Sequence, residues 1–165
     1  MTRLLLLALL AAAPLTACAR EQAASESAPA AASPGAQAAT AWLAENKAKP
    51  GVVTTPSGLQ YSVVASGPKT GTPPKEGDLM RLHYEGALTD GTVFDSSYQR
   101  GAPAVMPLQG LVPGWMEALP LMRPGDTWML YTPPELGYGS EGAGGVIPPD
   151  AVLVFKVELI DVLPR

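Results

Sequence analysis

Few side chains in this sequence could carry covalent or metal chemistry. The 165 residues include one histidine, His83, and one cysteine, Cys18. A zinc or iron site needs a cluster of such ligands, so neither a metal nor any other cofactor is expected. A lone cysteine also rules out an intrachain disulfide. His83 invites a general-base role, but an imidazole in a strand-like run beside Tyr84 reads more simply as structural. The tract "GAGG" (142–145) resembles a phosphate loop only superficially, because the Gly-Lys-Ser/Thr ending is missing. Asp95, in "FDSS", reads either as a turn acid or as a polar group at a binding site. Aromatic residues are spread over separate segments: Tyr84, Phe94, Trp115, Tyr138 and Phe155. Such residues line cores more often than ligand pockets, and composition alone leaves both readings open.

The elements that must position these residues are mostly strands. The chain holds 18 Pro and 17 Gly, many of them in short turns between β-like segments, which points to an all-β or α+β domain. "SGLQYSVVASG" predicts a strand with Leu59, Tyr61 and Val63 on one face. "GDLMRLHYEGAL" sets Leu79, Arg81, His83 and Glu85 against Met80, Leu82 and Tyr84, as in a half-buried strand. "TDG" (89–91) is an Asp-Gly hairpin turn, and "TVFDSS" starts the return strand. "PGWMEALPLM" (113–122) opens with proline and can hold only a short helix before Arg123-Pro124-Gly125-Asp126. "DTWMLYTPP" and "AVLVFKVELIDV" predict two more strands. The sum is a small, curved antiparallel sheet holding one short helix in its concave face. Hydrophobic residues make up 47% of the chain, enough for a core, while the net charge of −4 without a basic stripe excludes nucleic acid as a partner.

The first residues read as an address. Arg3 precedes an apolar run, Leu4 to Ala13, that is too short to span a bilayer. "LTAC" (15–18) follows and resembles the bacterial lipobox, in which the cysteine is acylated. Residues 1–17 are therefore expected to be a lipoprotein signal peptide and Cys18 the lipidation site; an ordinary secretory signal is the alternative. The residues after Cys18, Ala19 and Arg20, include no Asp next to the cysteine, which by the enterobacterial sorting pattern indicates a lipid-anchored periplasmic protein at the outer membrane. Residues 18–39, rich in Ala, Ser and Pro, are expected to form a disordered tether. Residues 40–53 are expected to form a short helix and a lead-in, with Thr40 as a possible cap and Pro50-Gly51 as the stop. Residues 54–165 are expected to form the folded domain.

Four stretches taken together, "LHYEGALTDGTVFDSSYQRGAP", "VPGWMEALPLM", "PPELGYGSEGAGGVIPP" and "AVLVFKVELIDV", resemble the FK506-binding proteins (FKBPs), peptidyl-prolyl cis-trans isomerases. The likeness runs from Thr54 to Val162. The segment before it looks like that of the macrophage-infectivity-potentiator and FkpA-like branch. Those relatives carry a long dimerising helix, whereas a tether is expected here, so a monomer is expected. The resemblance implies an α+β fold, an FKBP-like antiparallel half-barrel of five to six strands around one short helix. It also implies rotation about X-Pro peptide bonds in exported, proline-containing polypeptides, assisting their folding. A proline-peptide binding module or holdase chaperone with little turnover is the competing reading. Macrolides such as tacrolimus or rapamycin are implied as ligands, and the membrane is reached through the lipid anchor only.

The same resemblance assigns residues. Tyr84, Phe94, Trp115, Tyr138 and Phe155 form the catalytic pocket with Asp95, and Trp115 is its floor. Tyr138 would donate its hydroxyl, and Val112 its N–H, to substrate carbonyls. Asp95 would orient, held by Tyr84 or Arg100. Arg100, Met106, Leu111, Val112, Val146 and Ile147 are the substrate-binding set. Met106 stands where the branch usually has Phe, Gly137 where Ala is common, and the glycine tract where bulkier loop residues occur. The SlyD-like chaperone insertion is missing. Gly142–Gly145 are expected to be the flexible rim over the pocket.

Overall fold

The computed structural model describes residues 32–68 and 70–163. The expected signal peptide, Cys18 and the first part of the expected tether lie outside the described residues.

Two long strands form the spine. β3 (Leu79–Leu88) and β7 (Leu153–Leu163) run antiparallel, from Leu79 opposite Leu163 to Leu88 opposite Leu153. Their alternation sorts the side chains. Met80, Leu82 and Tyr84 of β3, and Leu153, Phe155, Val157 and Leu159 of β7, point inward and are buried. Lys156 between them is exposed. Each fully buried aliphatic side chain contributes about 1.5–3 kcal/mol by leaving water. β6 (Thr127–Thr132) pairs with the far edge of β7, followed by β2 (Gln60–Ala65) and β1 (Val52–Thr54).

The other edge of β3 is divided. β5 (Ala104–Pro107) pairs with Leu79 to Leu82, and β4 (Val93–Ser96) with Glu85 to Ala87. His83 and Tyr84 fall in the gap. There Ser97 takes over the ladder: its N–H donates to the Tyr84 carbonyl (2.9 Å), and its hydroxyl accepts from the Tyr84 N–H (2.8 Å). The sheet thus has seven strands where five to six were expected. The additions are short: β1 has three residues and β5 four, too few for alternation to register in sequence.

α2 (Pro113–Ala118) lies against the inner face of the sheet. Pro113 sits in its first turn, where a missing N–H costs nothing. Gly114 lets the helix approach β6, since a Cβ there would lie 2.7 Å from Thr132 Cγ2. Trp115 and Ala118 are buried, and a 3₁₀ turn at Leu119–Leu121 ends the segment.

α1 spans Pro34–Asn46, six residues longer at its start than expected. Residues 34–39, expected from composition to belong to the disordered tether, are helical. Ser33 caps the helix by accepting from the Ala36 N–H (3.0 Å), Pro34 is at the first turn, and alanines favour the helix. Thr40, a possible cap by sequence, instead lies inside and donates to the Ala36 carbonyl (2.8 Å). The helix docks on the outside of the sheet through its last turn. Buried Asn46 donates to Gln60 Oε1 (2.9 Å), Gln60 Nε2 donates to the Leu43 carbonyl (2.9 Å), and Trp42 packs against Tyr131. Among the described residues no helix is long and apolar enough to cross a membrane.

Candidate active site

A cavity of about 260 Å³ opens between α2, the concave face of the sheet and the chain leading into α2. It is lined by Tyr84, Phe94, Asp95, Met106, Gly110, Leu111, Val112, Trp115, Tyr138 and Phe155. Strands, one helix and two loops all deliver parts of the lining, which explains why no single stretch of sequence announces it.

The floor is a chain of edge-to-face rings. Tyr84 meets Trp115 at 5.3 Å and 85°, Trp115 meets Phe155 at 5.3 Å and 79°, and Phe155 meets Phe94 at 5.7 Å and 90°. Perpendicular packing places the positive edge of one ring on the negative face of the next, which fixes each ring beyond simple burial. A glycine makes this possible. A Cβ on Gly86 would stand 2.6 Å from Phe94 Cε2 and 2.8 Å from Phe155 Cε1.

One wall is polar. The Tyr84 hydroxyl donates to Asp95 Oδ2 (2.5 Å), Arg100 Nη1 pairs with Asp95 Oδ1, and Arg100 Nη2 donates to the Tyr84 oxygen (2.9 Å). The guanidinium also lies 5.3 Å from the Tyr84 ring centre. Burial pushes the Asp95 carboxyl up, but the hydrogen bonds from Tyr84 and Arg100 outweigh it and hold it below the ordinary 3.8. Burial, then the hydrogen bond to Asp95, raises Tyr84 above its ordinary 10.0. The carboxylate stays charged and the phenol stays neutral across the intervening range, so the triad holds an aimed, fixed dipole pattern at the cavity wall.

Among the lining residues, the Tyr138 hydroxyl and the Val112 N–H have no partner among the described residues, nor does the buried Trp115 Nε1–H. Tyr138 is 41% exposed and its hydroxyl is unpaired. Val112 is the N-cap of α2; its carbonyl accepts from the Trp115 and Met116 N–H groups, while its own N–H meets no acceptor.

Most of the expected site residues come together. Tyr84, Phe94, Asp95, Trp115, Tyr138, Phe155, Met106, Leu111 and Val112 line the cavity. Arg100 does not line it but stands behind Asp95 and Tyr84. Ile147 and Val146 are not brought to the lining. Ile147 is buried in the core beneath the rim, bridged to Ala143 by paired backbone hydrogen bonds (2.9 and 3.0 Å), and Val146 is 54% exposed. Gly86 and Gly110 were not among the expected residues. A glycine within the strand "HYEGAL" signals close approach, and that signal was present in the sequence; Gly110, at φ 70°, is a turn residue whose place on the lining only the tertiary structure reveals. His83 is outside the cavity, stacked on Tyr98 (4.6 Å) and hydrogen-bonded to Ser97 (2.9 Å).

Comparison with known proteins places this geometry. The family profile for FKBP-type peptidyl-prolyl cis-trans isomerase matches residues 70–160, and that for the domain amino-terminal to such isomerases matches residues 9–63. The chain is 51% identical over 127 residues to the peptidyl-prolyl cis-trans isomerase Mip of Coxiella burnetii, covering 77% of this chain and 54% of that protein. It is 47% identical over 122 residues to the outer membrane protein MIP of Legionella longbeachae, covering 74% and 52%. The crystal structure of FkpA from Escherichia coli superposes with a TM-score of 0.73 at 41% identity, covering 78% of this chain and 59% of that one. The chain spans about half the length of the curated relatives it matches.

Proposed function

This chain belongs to the FKBP-type peptidyl-prolyl cis-trans isomerase family, and from that premise we propose that it rotates X-Pro peptide bonds of exported proteins and so assists their folding. The barrier to that rotation is about 20 kcal/mol, because amide resonance must be broken. No bond is made or cut, so the work consists of binding the twisted amide better than the planar one. A twisted amide has less charge separation than a planar one, and a dry aromatic cavity favours it. Trp115 supports the proline ring from below, with Tyr84, Phe94 and Phe155 beside it in the floor. The Tyr138 hydroxyl and the Val112 N–H hold the flanking carbonyls while the bond turns. Asp95 orients, fixed by Tyr84 and Arg100. Met106 and Leu111 border the peptide, and Ile147 supports the rim beneath exposed Val146. The same cavity takes macrolides such as tacrolimus or rapamycin.

The observation that carries this reading is the joining of four edge-to-face rings to one ion-paired acid around a cavity of about 260 Å³. Its test is cis-trans exchange of a short apolar-X-Pro peptide by the mature chain. Acceleration at micromolar enzyme is expected; a rate at background leaves a proline-peptide binding module in its place.

We further propose that Cys18 is lipidated and that the protein is held in the periplasm at the outer membrane. Support comes from "LTAC" and from the name of the Legionella relative, an outer membrane protein. Cys18→Ser is expected to release the protein into the soluble periplasmic fraction. The mature chain is taken as a monomer, because α1 spends its buried side chains on its own sheet.

A further inference from the structure

The rim of the cavity and the first turn of α1 meet at one residue. Asp150 is the only non-glycine with a positive φ among the described residues (57°). It ends the rim and leads directly into the segment that becomes β7. Its N–H donates to the carbonyl of Gly139 (2.9 Å), the residue after Tyr138. Gly139 in turn donates its own N–H to the Pro134 carbonyl (2.9 Å). The backbone carrying Tyr138 is therefore pinned from both sides, and one of the two pins is Asp150.

The Asp150 side chain is held by α1. The Ser33 hydroxyl donates to Asp150 Oδ2, while Ser33 Oγ caps α1 by accepting from the Ala36 N–H. Gly35 admits this approach: a Cβ there would lie 3.1 Å from Asp150 Cβ and 3.2 Å from the Pro149 carbonyl oxygen. Farther along, α1 does not close on the loop. A cleft of about 290 Å³ remains, lined in part by Ala38, Trp42, Leu88, Pro148 and Val152. The contact at Ser33, Gly35 and Asp150 thus ties the start of the helix to the rim.

We infer that Asp150, clasped by Ser33, is a positioning residue for Tyr138, and that the first turn of α1 is a working part of the substrate rim. A left-handed backbone is disfavoured for a residue with a side chain; here the clasp on that side chain offsets the cost. The inference rests on the proposed isomerase reading for its catalytic consequence, but not for its structural one.

The test uses the full mature chain and compares Asp150→Gly, Asp150→Asn and Ser33→Ala with wild type. Glycine accepts the positive φ but loses the clasp; asparagine tolerates that backbone and keeps an oxygen for Ser33. Hydrogen exchange at the Gly139, Val146, Ile147 and Asp150 amides is expected to quicken severalfold in Asp150→Gly and Ser33→Ala, and not in Asp150→Asn. With an X-Pro peptide, KM is expected to rise severalfold in the first two at unchanged kcat, with Asp150→Asn within about twofold of wild type. Unchanged rim exchange in Ser33→Ala overturns the clasp, as does an equal KM in all four proteins. If Asp150→Gly does not fold, Ser33→Ala, which leaves the rim sequence intact, decides. If wild type shows no turnover, the isomerase reading fails by itself, and the exchange comparison still decides the clasp.

Discussion

The four rings at the floor of the cavity sit on three strands and a helix, and each is fixed by the ring beside it. The rim between Gly139 and Asp150 has no such rings; it carries four left-handed glycines and is closed by backbone hydrogen bonds. The floor defines a shape that does not yield, as tightly packed interiors do not. On the proposed reading, the rim supplies backbone groups to the peptide. Substitutions should therefore act on the floor through packing and on the rim through backbone conformation.

The largest effect expected is at the floor. Trp115→Ala removes the ring that touches both Tyr84 and Phe155, and is expected to destabilise the fold by about 3–5 kcal/mol, read from the midpoint of urea unfolding at unchanged slope. A loss below about 1 kcal/mol would mean that the rings do not support one another.

Next comes a contrast inside the rim. Gly142 and Gly144 both have positive φ (66° and 58°), but a Cβ on Gly142 would lie 2.2 Å from the Ile147 carbonyl oxygen, whereas Gly144 faces open space. Gly144→Ala should cost about 1–2 kcal/mol, the left-handed penalty alone. Gly142→Ala should cost about 1–3 kcal/mol more, because the backbone must shift. Equal losses in thermal unfolding would break the claim that the rim is a closed turn and not a loose loop.

Much of the floor was legible in sequence because alternation is visible over a long strand. The ten residues of β3 sort Met80, Leu82 and Tyr84 inward as the sequence predicts, and β7 does the same. The rim was less legible. Val146 and Ile147 follow a glycine tract and precede two prolines, and the resemblance assigns both to the substrate-binding set, yet Ile147 is buried in the core. Nothing local distinguishes a rim residue facing a ligand from one plugging the core beneath it. α1 reads shorter in sequence for a related reason: the composition of 34–39 suits a tether, and only Ser33-Pro34 marks the start of a helix. The resemblance implies that Tyr84 or Arg100 holds Asp95; both do, and the further contact of Arg100 with the Tyr84 oxygen is legible only in the structure.

Between floor and rim lies the polar wall. Asp95→Ala is expected to lower kcat/KM about tenfold, or about 1.4 kcal/mol of barrier, less than a buried charged hydrogen bond because Asp95 and Arg100 are both nearly half-exposed. The pH dependence has a defined sign. The folded Asp95 carboxyl lies below 3.8, so its contribution is complete above that value and is lost as pH falls through the lowered one. The folded Tyr84 phenol lies above 10.0, so its contribution is complete below that value and is lost as pH rises through the raised one. Macrolide affinity measured from about pH 5 to 9, inside both limits, should show no transition that Asp95→Ala abolishes. Such a transition would mean that Asp95 is not a permanently charged orienting acid or that Tyr84 is not a permanently neutral donor.

The smallest effect discriminates best between the two regions. Tyr138 lines the cavity from the rim side, on a backbone pinned by Asp150, and its ring is 41% exposed. Tyr138→Phe keeps the ring and deletes one hydroxyl. In the free protein that hydroxyl is solvated, so fold stability should change by less than about 0.5 kcal/mol. In the proposed complex it donates to a carbonyl, and on that reading macrolide affinity measured by calorimetry should fall by about 0.5–1.5 kcal/mol, the net value of one hydrogen bond. A floor residue cannot give this pattern: Trp115 is buried in both states, and its loss must appear in unfolding first. If Tyr138→Phe instead unfolds the domain at lower urea and leaves affinity untouched, Tyr138 belongs to the floor, and the division between a packed floor and a hydrogen-bonding rim has been drawn in the wrong place.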